Sequence, residues 1–147
     1  MSENTNRQRV LSLLDAYYAG DIEGALARCT DDLEYFAPAP IEILPHMGHH
    51  RGRDEVRKVW ETVRDRYSLM RYEARTIVAE ADTVAVELRV FYTKRGSGRV
   101  VQFDVAAFFT LHEGQISRVR EIIDTFDLVQ QVLEHDLSAL LIGERQR

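Results

Sequence analysis

The spacing of apolar positions changes character near Leu69. Before it, hydrophobic residues recur at helical intervals: Val10, Leu11, Leu13, Leu14, Tyr17 and Tyr18 define a stripe that predicts a helix from about Thr5 to Ala19. Gly20 ends that helix, and Asp21 is placed to cap a second, short one reaching about Cys29. Asp31 and Asp32 then turn the chain into a brief strand that Pro38 and Pro40 terminate, because proline removes a ladder donor. The proline- and glycine-bearing segment APAPIEILPHMGHHRG reads as a loop. GRDEVRKVWETVRDRY, residues 52–67, carries Val56, Val59, Trp60, Val63 and Tyr67 on one helical stripe, with its charges opposite.

After Leu69 the period falls to two, and residues 70–123 predict four antiparallel strands joined by turns at EAD, RGSG and HEG. The glycines of RGSG open a strand instead of a helix, so the motif is a hairpin turn and no phosphate cradle. Asp124 and Asp127 suit the start of a last helix, from Thr125 to about Leu141, and a strand-to-helix junction makes them a capping pair before it makes them chemistry. Helices followed by a run of strands specify an α+β fold, in which the helices near 5–19 and 52–67 cover one face of one sheet.

Composition narrows the functional classes. The 147 residues suit one domain spanning the whole sequence, large enough to bury a core without staples. A net charge of -5 with interspersed signs offers no basic stripe for a phosphate backbone, which excludes nucleic acid as the expected partner. No apolar run approaches the roughly 20 residues that span a bilayer, the N-terminus lacks an apolar signal core, and Cys29 is the only cysteine. The expectation is a cytoplasmic protein.

The blocks AGDIEGAL, TDDLEYFAP, RGRDEVRKVW, VAVELRV, QFDVAAF and EGQISRVREIID occur in an order and spacing that resembles the ketosteroid isomerase and SnoaL-like polyketide cyclase group of the nuclear transport factor 2-like superfamily, over roughly residues 8–128. The resemblance implies a cone: a curved antiparallel sheet wrapped around the N-terminal helices, with an apolar pocket inside and chemistry that needs no cofactor. It implies a homodimer formed through the outer sheet face, where Phe91, Phe108, Arg118, Arg120 and Ile122 mix apolar bulk with arginine. The activities it suggests are isomerisation, cyclisation and hydrolysis of a hydrophobic small molecule.

Carried over residue by residue, the resemblance places the isomerase's general base at Ala37, its tyrosine at Leu13 and its oxyanion-binding acid at Ala107, so all three catalytic positions are apolar here. The arginine and aspartate of the related limonene epoxide hydrolase fall on Leu88 and Val90. That hydrolase's pocket aspartate on the last strand falls on Glu121. Asp104 matches a scaffold aspartate; alternation sends it to the face opposite Val105 and Ala107, near Arg89.

Strict alternation directs Val119, Glu121 and Ile123 inward, and facing positions Leu88, Val90, Val105, Ala107 and Phe109 are apolar. Glu121 is then a carboxylate in an apolar cavity, where desolvation raises its pKa toward the range of a general acid or base. A structural pairing with an arginine or a tyrosine hydroxyl is the competing account. Tyr35 shares alternation with Ala37 and is expected to donate to a substrate oxygen or simply to wall the pocket, with Tyr17 and Tyr92 weaker candidates of the same kind.

The resemblance places His46, His49 and His50 at the pocket mouth, where one of them, taken as His49, serves as proton donor or they are simply solvent-exposed loop residues. Their loop offers no carboxylate or cysteine at ligand spacing, so no metal site is expected. Leu13, Tyr17, Phe36 and Trp60 complete the expected lining. Two functional classes follow: a cofactor-independent proton-transfer enzyme with Glu121, Tyr35 and His49 as its catalytic groups, or a non-catalytic ligand-binding or dimeric interaction module. A cavity of at least roughly 300 Å³ bordered by Glu121 favours the first, and an interior filled by Trp60, Phe36, Phe109 and Ile123 favours the second.

Overall fold

The computed structural model describes residues 2–145; Met1 and residues 146–147 of the expected domain lie outside the described residues. Ser2 caps the first helix, α1 (Glu3–Tyr18), by accepting from the Thr5 backbone N–H, and Gly20 leaves it at φ +88°, a conformation in which only glycine is unstrained. Asp21 caps α2 (Ile22–Ala27) through the Gly24 N–H at 2.9 Å. Strand β1 (Cys29–Ala37) follows, and α3 (Arg53–Arg66) runs directly into β3 (Tyr67–Glu80). Strands β4 (Thr83–Lys94), β5 (Val100–His112) and β6 (Gln115–Ile123) complete the period-two half of the chain.

With a short strand β2 (Gly48–Arg51) between β1 and α3, the sheet is six-stranded, curved and unclosed, in the order β2-β1-β6-β5-β4-β3. Its neighbours are antiparallel except β1 and β6, which run parallel. The parallel pair arises because β1 is added beside the last strand of the meander instead of pairing with β3. α1 and α3 pack across the concave face, as the sequence pattern predicts. The alternation of β4 sends Val84, Val86, Leu88, Val90 and Tyr92 inward, and that of β5 sends Val105, Ala107 and Phe109 inward, while Asp104, Ala106 and Phe108 face out.

Two expectations change. Part of the segment read as a loop is a short strand, β2 (Gly48–Arg51), which pairs antiparallel with β1 and sets His49 opposite Phe36 and His50 opposite Tyr35. The prolines confine the irregular backbone to the residues before Gly48, where it bonds to itself: the Ile43 and Leu44 N–H groups donate to the Pro40 carbonyl and the Met47 N–H to that of Leu44. The last helix is broken in two, α4 (Thr125–Leu133) and α5 (Leu137–Arg145), by Glu134 in a left-handed conformation at φ 55°. Lys94 Nζ holds the end of α4 by donating to the Gln131 and Val132 carbonyls. Among the described residues no helix is long and apolar enough to cross a membrane.

Candidate active site

Inside the cone lies one pocket to which nearly every element contributes. α1 provides Leu13, Leu14, Tyr17 and Tyr18, and α3 provides Trp60 and Val63. The sheet supplies Tyr35, Leu88, Tyr92, Phe103, Ala107, Phe109, Val119, Glu121 and Ile123. Leu44, His46 and Met47 close it from the segment between β1 and β2, and Leu128 and Val132 from α4.

Glu121 reaches this interior because β6 alternates and Arg120 and Ile122 take the outer face. The parallel pairing of β1 with β6 sets Tyr35 beside Val119, close enough for the Tyr35 hydroxyl to donate to Glu121 Oε1. On the other side β5 places Ala107 directly opposite Glu121, and the methyl group leaves the carboxyl's flank open. Glu121 is half-buried by surface area although protein encloses it, because the area it exposes borders the cavity.

Burial raises the Glu121 pKa above the ordinary glutamate value, and the hydrogen bond from Tyr35 partly offsets this by favouring the charged form. The Tyr35 phenol is pushed well above its usual value, first by burial and then by the neighbouring Glu121. Tyr17, Tyr18 and Tyr92 are likewise raised by burial, and the Tyr18 and Tyr92 hydroxyls lie 3.0 Å apart. The pocket therefore holds neutral phenols around one desolvated carboxyl group.

The free volume is about 90 Å³, short of the roughly 300 Å³ at which ligand pockets usually begin. Aromatic rings account for the shortfall: Tyr17 packs against Trp60 with centroids 5.2 Å apart, and Tyr92 against Phe103 at 5.3 Å. A larger guest has to displace a wall, and the Pro38–Met47 segment of that wall lies outside the sheet ladders, its backbone turn bonds being made within itself.

His49 and Phe36 do not face the pocket, contrary to expectation. Pairing with β1 puts both on the outer side, where the His49 Nε2 stands 2.9 Å from Glu34 Oε1 and its ring meets Phe36 edge-on. His50 does not border the pocket either: its Nε2 donates to the His46 and Met47 carbonyls, and its Nδ1 lies 3.1 Å from Glu55 Oε1. Ala37, Val90 and Val105 point inward and are buried, yet they pack in the core without bordering the free space. His46 does line it.

Sequence reasoning missed Leu14, Tyr18, Val63, Tyr67 and Phe103 as lining residues, and also Leu44, Met47, Leu128 and Val132, of which the first pair sits in irregular chain and the second on a helix whose docking depends on Lys94 and Gln131. The four-residue helical spacing of Leu128 and Val132 was the available signal for α4. Asp104 lies outside and takes a two-point contact from Arg89, at 2.8 and 3.2 Å. Asp124 caps α4 by accepting from the Asp127 N–H at 3.1 Å.

Comparison with known proteins agrees with this architecture. The model of the SnoaL-like domain matches residues 10–119, and the chain belongs to that family. A protein proposed to be an isomerase, from Rhodopseudomonas palustris, superposes with a TM-score of 0.79 at 25% identity, covering 92% of this chain and 100% of that one. An NTF2-like protein of unknown function from Burkholderia pseudomallei gives 0.79 at 21% identity over 88% of this chain and 97% of its own. An LEH-like epoxide hydrolase of M. tuberculosis gives 0.72 at 21% identity over 96% and 98%. No curated protein matches.

Proposed function

We propose that this chain is a small enzyme that transfers a proton on a hydrophobic, oxygen-bearing molecule, with Glu121 as the acid/base and Tyr35 as its partner. The observation that carries the reading is that the Glu121 carboxyl borders the free space of a largely apolar cavity opposite Ala107; its hydrogen bond from Tyr35 taken alone fits a structural pairing equally well. Tyr35 occupies Oε1 and leaves Oε2 for the substrate. Desolvation makes the Glu121 carboxylate a better proton acceptor than an exposed one, and the neutral acid then returns the proton. This step needs no metal or organic cofactor, because Glu121 itself carries the proton.

An isomerase, a cyclase and a hydrolase all use such a step. The isomerase and epoxide hydrolase among the structural relatives lend support at the level of fold alone. A second reading is favoured by one observation, the small free volume: a non-catalytic module that holds a small ligand. We also infer a homodimer packed through the outer sheet face, where Phe108 and Ile122 are 40% and 49% exposed beside Arg118 and Arg120.

A carbon-13 NMR titration of the Glu121 carboxyl tests the enzyme reading before any substrate is known. A midpoint above the ordinary glutamate value is expected. An ordinary midpoint would leave Glu121 without the property that the mechanism requires.

A further inference from the structure

Among the described residues the lining of the cavity contains no lysine or arginine; besides its tyrosines, Glu121 and His46 are its ionisable groups. A carboxylate or phosphate guest would meet no cation in the lining itself, since Arg64 beside Tyr17 and Arg66 beside His46 stand behind it, and would face the Glu121 carboxyl. His46 differs from the other two central histidines in being uncommitted. His49 is held by Glu34, and His50 by Glu55 and two carbonyls. His46 has no side-chain hydrogen bond among the described residues, and its Nδ1 is sealed from solvent.

That seal decides where the ring proton resides. An orphaned buried N–H is a rarer defect than an orphaned lone pair, so the sealed Nδ1 keeps its lone pair and the proton sits on Nε2. A second proton would create an unpaired N–H at Nδ1. It is opposed further by burial, and by Arg66 and His50 nearby, which together hold the ring's pKa down to about 4. At neutral pH His46 is thus an uncharged group with one donor and no free acceptor.

We infer that His46 is a ligand-anchoring residue of this cavity, giving its Nε2–H to a carbonyl or ether oxygen, and that the site selects uncharged oxygenated compounds over carboxylates. This rests on the reading of the cavity as a ligand site. Glu121 governs the proton and His46 fixes an acceptor oxygen, so a ketone is held where a hydrocarbon of the same shape is not.

The test uses three probes of similar size: cyclohexanone, methylcyclohexane and cyclohexanecarboxylate. At pH 7, nitrogen-15 spectra are expected to show His46 as the Nε2–H tautomer, and saturation with cyclohexanone to move that resonance. His46→Phe is expected to bind the ketone roughly tenfold more weakly, the loss of one neutral hydrogen bond, and methylcyclohexane as before. Unchanged ketone affinity in that variant, an Nδ1–H tautomer, or a carboxylate that outcompetes the ketone would overturn the inference.

The Glu121 carboxyl carbon, followed in the same titrations, separates the two readings. If it responds to the ketone while His46 does not, the role of His46 falls and the ligand site stands; if neither responds, both fall. Should His46→Phe fail to fold, the wild-type spectra decide alone.

Discussion

Glu121 and Ala107 face one another across the β5–β6 ladder, the carboxyl pointing into space that a larger side chain at 107 would occupy. Ala107→Leu is therefore expected to fill the flank of Glu121, abolish binding of any small guest, and cost about 1–3 kcal/mol through overpacking. Denaturant unfolding gives the stability term, and a ligand-shift titration gives the binding term. Full retention of binding would mean that the guest does not enter beside Glu121.

Glu121→Gln removes the titrating group and keeps its shape. Once a substrate is known, turnover is expected to fall on the order of 10² while affinity changes little. The same variant has a stability signature. Because the folded-state pKa of Glu121 is raised, its contribution is fully present below the unfolded value and is lost as pH rises through the folded value. Relative to wild type, Glu121→Gln should thus gain stability as pH rises through that window.

Tyr35→Phe deletes the donor that favours the charged carboxylate. The Glu121 midpoint is expected to rise further in this variant, and stability to fall by about 1–3 kcal/mol, the range for a hydrogen bond to an ionisable group. A carboxyl titration checks the first outcome and chemical denaturation the second. An unchanged midpoint would indicate that the pair does not form in solution.

His46 makes a separate contribution to acid sensitivity. Its folded-state pKa, about 4 against 6.5 for a free imidazole, means that the unfolded chain binds the extra proton first, so stability is lost as pH falls from 6.5 toward 4. His46→Phe is expected to flatten that part of the profile. Thermal melts in steps across this window provide the measurement.

Asp104 tests the outside of the sheet. Its carboxyl is held below the ordinary aspartate range by its hydrogen bonds from Arg89, but the pair is exposed to solvent and salt. Asp104→Asn should leave cavity binding unchanged and the melting temperature nearly so. For the outer-face dimer, light scattering at micromolar concentration is expected to show twice the chain mass, and Phe108→Lys to give monomer; a monomeric wild type would refute the interface.

The sequence by itself determined the elements that depend on short-range periodicity. The alternation of residues 70–123 specified which side chains of β4, β5 and β6 face inward, and with that the inward carboxyl of Glu121 and the outward Asp104 beside Arg89. Capping at Asp21 and Asp124 was legible for the same reason, since a cap is made within three residues. Pairing across long sequence separations was decided only by tertiary structure. The parallel contact of β1 with β6 brings Tyr35 to Glu121 across 86 residues, and β2 turns His49 outward while His46 stays at the cavity wall. The free volume was also decided there, because it depends on how Tyr17, Trp60, Tyr92 and Phe103 pack together, and no periodicity encodes the space left between rings from different elements.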